Sequence, residues 1–218
     1  MKKTINYAYK INIILILLLG FFLTHKNLEA GEYFGGGGYS INTPVLGLSR
    51  RYASTSSYFF QIGGTIKEQD RLVFQYSNIN FDQPDRDQLY YNDIEMEVNI
   101  NSLSGIYSYN FLKGWNLSLF LNGGFSLNKW QSRRKPFFHE DTSGTIDLPD
   151  FERGEWSWGG KLGVQLEYAP FDFLTIGAVS NYHLIVASLW PSTKIRLEQI
   201  SGLQMLESGV FIRFNMTF

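Results

Sequence analysis

The chain predicts an all-β fold, an eight-stranded antiparallel up-and-down transmembrane β-barrel, and three observations carry that expectation. Apolar and polar residues alternate with period two through eight segments. Short, turn-rich connections alternate with long polar ones. An N-terminal export segment precedes them, and no later apolar run is long enough for a membrane helix.

The export segment comes first. Lys2, Lys3 and Lys10 make a basic end, Ile11 to Leu23 is apolar apart from Asn12 and Gly20, and Leu28-Glu29-Ala30-Gly31 offers small residues at a cut. That order reads as a secretory signal peptide over 1–30, removed near Ala30. Thirteen apolar residues would rise only about 20 Å as a helix, short of the roughly 30 Å hydrocarbon core. Cleavage removes four lysines and Glu29, taking the net charge from -1 to -4 and leaving 31–218 as a single barrel domain.

The strands follow in order: Glu32 to Asn42, Ser57 to Ile66, Arg71 to Asp82, Ile94 to Tyr109, Asn116 to Trp130, Gly154 to Tyr168, Phe173 to Ala187 and Gln204 to Phe218. Successive side chains of a strand point to opposite faces, so Leu72, Phe74 and Tyr76 share one face while Arg71, Gln75 and Ser77 share the other. Val210, Ile212, Phe214, Met216 and Phe218 likewise oppose Arg213, Asn215 and Thr217. The fourth segment changes phase, because Ile94, Met96, Val98 and Ile100 are out of step with Leu103 and Tyr107; a bulge near Ser102 is the expected cause. The first segment carries Gly35 to Gly38, which lacks the following Lys-Ser/Thr of a phosphate loop and reads as close packing at a crowded wall.

Lys67 to Asp70, Asn110 to Trp115 and Ala169 to Asp172 are the short turns. Thr43 to Ser56, Gln83 to Asp93, Gln131 to Arg153 and Ser188 to Leu203 are the long loops. A lipid core offers no water to unpaired backbone groups, so a spanning sheet must close. A soluble ligand-binding barrel also alternates, with its apolar face inward. The polar face here is too charged for that, and Trp115, Trp130, Trp156, Trp158, Trp190 and Phe218 crowd the strand ends, where a membrane girdle stands.

Composition excludes other classes. Zero cysteine removes disulfide scaffolds, thiolate zinc sites, cysteine nucleophiles and a lipidated N-terminal cysteine. A net charge near zero argues against nucleic acid as a partner.

From the export segment leading into Tyr33-Phe34-Gly35-Gly36-Gly37-Gly38-Tyr39, the short-turn pattern and a last strand ending in Phe218, the chain resembles the small outer-membrane β-barrels of OmpA/OmpX type. The resemblance spans residues 32 to 218 and implies residence in the bacterial outer membrane after export. It further implies contact with outer-membrane lipid and lipopolysaccharide, and recognition of Phe218 by the barrel-assembly machinery, with Phe214 and Met216 in support. Met216 departs from the aromatic-every-second-residue pattern of such termini. Function does not follow from this fold.

The candidate functional residues are few. Glu95, Glu97, Glu155, Lys161, Glu167 and Arg213 are expected to face the lumen as a charge network. They would form either a salt-bridged filling or a gate. Arg133, Arg134 and Lys135 are expected to meet lipopolysaccharide phosphates. His139, Glu140, Asp141 and Ser143, or His183 with Ser188, supply the residue types of an outer-leaflet lipid hydrolase, but neighbours in one loop seldom converge. The expectation is therefore a non-enzymatic, monomeric outer-membrane barrel without cofactor or metal, serving envelope structure or surface interaction. The alternative is a narrow or gated pore for ions or small solutes.

Overall fold

A computed structural model describes residues 32–66, 70–83, 85, 95–141, 144–189 and 200–217. The expected export segment, Phe218 and Trp190 lie outside these residues. The described residues form ten strands: β1 Glu32–Pro44, β2 Thr55–Thr65, β3 Arg71–Phe81, β4 Met96–Gly114, β5 Leu117–Arg134, β6 Phe137–Asp141, β7 Gly144–Leu148, β8 Phe151–Phe171, β9 Leu174–Leu189 and β10 Ile200–Thr217. Eight of them close an antiparallel barrel in the order β1-β10-β9-β8-β5-β4-β3-β2, while β6 and β7 pair as a separate hairpin. That hairpin lies inside the long connection expected as loop, and β5 and β8 run further into the same connection than their alternation indicated.

The register defines the barrel geometry. From Phe34, cross-strand partners run Gly63, Val73, Ile106, Gly124, Lys161, His183 and Met205, returning to β1 at Pro44. The circuit closes ten positions further along β1, a stagger that tilts the strands by about 35–45° from the barrel axis. The connection between β4 and β5 holds Trp115 and Asn116 at positive φ (49° and 64°), the two-residue turn whose twist matches the flanking strands.

The expected bulge at Ser102 is absent. β4 pairs with β3 without interruption from Val98 to Ser108, and its irregularity falls at Asn110–Leu112 instead. What changes near Ser102 is the surroundings of the wall. Cross-strand neighbours Ser77, Ser102 and Asn128 face inward and are buried; two residues further on, the inward set is Ile79, Ile100 and Trp130. The outward set changes the opposite way, from Tyr76, Leu103 and Leu127 to Asn78, Asn101 and Lys129. Below this rung the outer surface is apolar, as lipid requires, and the interior sets polar and charged side chains among a few buried apolar ones such as Phe34, Phe59, Phe120 and Phe211. Above it the outer surface is polar, and the apolar side chains turn inward to bury one another, as water requires.

A strand crosses a membrane in about 9–11 residues. β4, β5 and β8, with 19, 18 and 21 residues, therefore carry the wall well past the apolar band. The protruding part is packed like a soluble core. Leu48, Tyr52, Ile79, Phe81, Met96, Val98, Ile100, Trp130, Phe137, Leu148, Ile185, Ala187, Leu203 and Met205 form one buried apolar cluster. Leu48 and Tyr52 descend from the β1–β2 loop, where Tyr52 N donates to Leu48 O at 3.1 Å. Phe137 and Leu148 come from the β6–β7 hairpin. Trp130, expected in the girdle, belongs to this interior, whereas Trp156 and Trp158 face outward.

The glycine run has the role expected of it. A Cβ at Gly38 would strike the Phe59 ring, the Val210 carbonyl and Phe211 Cβ, so only a bare backbone fits beside those inward rings. Gly35 faces outward, where a Cβ would make only ordinary contact with Ile62.

Candidate functional site

Below the apolar plug, the lumen holds a chain of charged and amide side chains. Lys161 Nζ donates to Glu207 Oε2 at 2.7 Å, and both side chains are fully buried. Gln75 Nε2 donates to the other oxygen of Glu207 at 2.7 Å. Nearer the short turns, Glu167 accepts from Arg71 through one oxygen and from Arg213 through the other. Two carboxylates thus meet three cations. The surplus positive charge rests on aromatic faces: Arg213 Cζ stands 4.2 Å from the Phe34 ring centroid and 4.7 Å from Phe211, and Arg71 Cζ 4.6 Å from Phe120. Guanidinium over a ring face is favourable, more so when desolvated. Buried ions paired in this way fill the bore as a rigid plug.

Three of the six residues expected in this network occupy it: Lys161, Glu167 and Arg213. The other three stand elsewhere. Glu95 precedes β4 and pairs with Lys135 outside the barrel, where that ammonium holds its carboxyl below the usual carboxylate range. Glu97 faces outward from β4. Glu155 keeps the phase of Lys161 but lies beyond Gly159, the last β8 residue paired with β9; there its side chain is 52% exposed and meets Arg153 at 2.7 Å. All three precede the rung of polarity inversion in chain order, so carboxylates beside apolar alternation stand toward water rather than the lumen. Glu207, Arg71, Gln75 and Gln165, whose Nε2 donates to Glu167 Oε1 at 2.5 Å, join the network unanticipated. Glu207 shares the phase of Arg213, so continuing the alternation of β10 through Gly209 would have found it.

The basic cluster also divides. Arg134 points inward, donating to the Pro149 carbonyl at 3.0 Å, with its guanidinium 5.8 Å from the Phe151 ring centroid. Arg133 faces outward between its cross-strand partners Glu97 and Glu152, and Lys135 is held by Glu95. Phe214 and Met216 face outward near the end of β10.

Among the described residues the expected hydrolase groups do not come together. His139 stacks on Phe137, centroids 6.0 Å apart, while Glu140 is exposed on the opposite face of the hairpin. Ser143 and the side chains of Asp141 and Ser188 lie outside the described residues. His183 is fully buried in the lumen, with Nε2 2.9 Å from Ser126 Oγ. Its Nδ1 has no partner among the described residues, so a carboxylate to orient it is missing there.

Fold and lumen together define a class: a small membrane-spanning β-barrel whose interior is filled by its own side chains. No protein-family model and no curated protein sequence matches the chain. Among solved structures, a major outer membrane protein from Thermus thermophilus is similar at 9% identity, covering 86% of this chain and 100% of that one with a TM-score of 0.56. Ail, the attachment invasion locus protein of Yersinia pestis, in complex with the heparin analogue sucrose octasulfate, is similar at 11% identity with the same coverage and a TM-score of 0.50. At such identities the likeness concerns the fold, and the fold is the eight-stranded outer-membrane barrel of OmpA/OmpX type.

Proposed function

We propose that the chain is a non-enzymatic integral protein of the bacterial outer membrane, exported with its signal peptide removed, that serves envelope structure or surface interaction through its long-loop end. The observation that carries this reading is the apolar plug. Fourteen buried side chains, two of them lowered from the β1–β2 loop, close the lumen on the side where the wall projects beyond the apolar band. A hydrated ion entering that region would shed its water without a replacing charge, at a prohibitive cost. This disfavours an open pore. The surface that remains for interaction is the protruding wall with the β6–β7 hairpin, where Phe138 is exposed.

Contact with lipopolysaccharide phosphates moves from the Arg133–Lys135 cluster to Lys129. Lys129 is exposed at the first polar rung above the apolar band, between its cross-strand partners Asn101 and Trp156. That is the level of the glycolipid headgroups, and Ail's complex with a polyanionic sugar fits the same chemistry. Phe218, with Phe214 and Met216, would address the chain to the barrel-assembly machinery, and a monomer suffices for the role.

Cell fractionation with heat-modifiable gel mobility tests location, and recovery in the soluble periplasm would sink the reading. Planar-bilayer recording of the purified barrel should show no conductance above background. Lipid A from expressing cells should keep its acyl pattern.

A further inference from the structure

The outer wall just above the apolar band is distinctive in what it lacks. Its first outward rung across β3, β4, β5 and β8 is Asn78, Asn101, Lys129 and Trp156, and Asn99 and Gln131 follow on the second. Neither rung carries a carboxylate, although a solvated surface ordinarily intersperses both signs of charge. Acids return one rung higher, where Glu97 and Glu152 flank Arg133 and Gln131 Nε2 donates to Glu152.

The amides of this face hold one another. Asn101 Oδ1 accepts from Tyr76 OH at 3.0 Å and from Asn78 Nδ2 at 2.9 Å. Asn99 Oδ1 accepts from Asn101 Nδ2 at 3.1 Å and from Asn78 Nδ2 at 3.3 Å. Both lone pairs of each carbonyl are thereby used inside the array. Both hydrogens of Asn99 Nδ2 and one of Asn101 Nδ2 have no partner among the described residues. The face therefore presents donors of fixed direction beside the Lys129 ammonium. Trp156, 59% exposed, stands next to Lys129 on the same rung, and its ring face attracts positively polarised C–H groups. Donors, a cation and an indole face without a carboxylate complement a ligand rich in acceptor oxygens, negatively charged and edged with C–H groups. A phosphorylated sugar has that chemistry. The height of the face, directly above the lipid-facing wall, supplies the source.

We propose that this face is a defined site for the phosphorylated sugar headgroup of the outer-leaflet glycolipid. Asn99 and Asn101 donate to sugar oxygens, Trp156 stacks on a ring, and Lys129 takes the adjoining phosphate. The site rests on the reading that places Lys129 at the headgroup level, and it adds recognition of the sugar to attraction of the phosphate.

The test is native mass spectrometry of the folded barrel released from phosphatidylcholine vesicles. The vesicles are doped with lipopolysaccharide truncated after its inner-core sugars and with phosphatidic acid at matched phosphate. The barrel should retain the first lipid about tenfold better, the worth of one such hydrogen bond. Asn99→Asp, which exchanges two donors for an acceptor of the same shape, and Trp156→Ala should each lose most of that preference while keeping heat-modifiable mobility. Lys129→Ala should weaken both lipids alike. No preference between the lipids, or a preference unaltered in Asn99→Asp and Trp156→Ala, overturns the sugar site. If Lys129→Ala still lowers retention of both, the phosphate reading survives that failure; retention of neither lipid removes both readings. Deacylated core sugar bound from solution as tightly as the intact glycolipid would assign the face to a soluble glycan and likewise overturns the proposal.

Discussion

Glu207→Gln tests the lumen network at its most buried point. The Lys161 ammonium lies 2.7 Å from Glu207 Oε2, with both side chains fully buried. At an effective dielectric constant of about 20, attraction at that distance is roughly 6 kcal/mol. Withdrawing the two ions from water costs several kcal/mol each, so the intact pair is close to neutral for stability. The substitution keeps the shape and leaves Gln75 a carbonyl acceptor, but it strands the ammonium, which costs about 3–5 kcal/mol. With a urea dependence of about 2 kcal/mol/M, the midpoint should fall by roughly 1.5–2.5 M. Adding Lys161→Met should recover most of the loss, because it removes the stranded ammonium and leaves a neutral amide still paired with Gln75. The assay is urea titration of the barrel in lipid vesicles, followed by tryptophan fluorescence and by heat-modifiable mobility. A loss below about 1 kcal/mol, or a double variant as unstable as the single one, would mean that Lys161 is solvated rather than paired with Glu207.

Three further outcomes are expected. Gly38→Ala should cost about 1–3 kcal/mol, because its Cβ meets Phe59, Phe211 and the Val210 carbonyl, while Gly35→Ala should stay within about 0.5 kcal/mol; urea midpoints of the pair check the contrast. Leu162→Arg, on the outward apolar face of β8, should cost about 2–4 kcal/mol in a bilayer, whereas Gln131→Arg, outward above the inversion, should be near neutral; equal losses would remove the assigned band. The hydrogen bond from Lys135 lowers the Glu95 pKa in the folded state, so whatever the pair contributes is present above the unfolded carboxylate pKa and is lost as pH falls through the lowered folded value. Carboxyl NMR should show Glu95 titrating at higher pH in Lys135→Ala, with the difference shrinking in salt because the pair is fully exposed.

Period-two alternation and turn residues are local properties of the chain, so the barrel, its eight wall strands and the rim that bears the long loops are legible before any tertiary contact is known. Every wall strand lies where alternation places it, with ends that differ by a few residues in most cases. Alternation names two faces of a strand without stating which medium lies beyond each. That ambiguity hid the inversion near Ser102, where Ile100 turns inward and Asn101 outward with no break in β4. It also misplaced Glu95, Glu97 and Trp130, read as though one rule held along the whole strand, while Glu155 keeps the inward phase but stands beyond the last pair of β8 with β9, open to water. These positions are set in the folded barrel, because the medium outside the wall depends on height along the barrel, and height depends on the ten-residue stagger of strands far apart in sequence. The partners of the lumen charges were decided in the same way: Lys161 and Glu207 lie 46 residues apart, and Arg71 and Glu167 lie 96 apart. Closure of the sheet brings them together, and no local pattern in the chain records that contact.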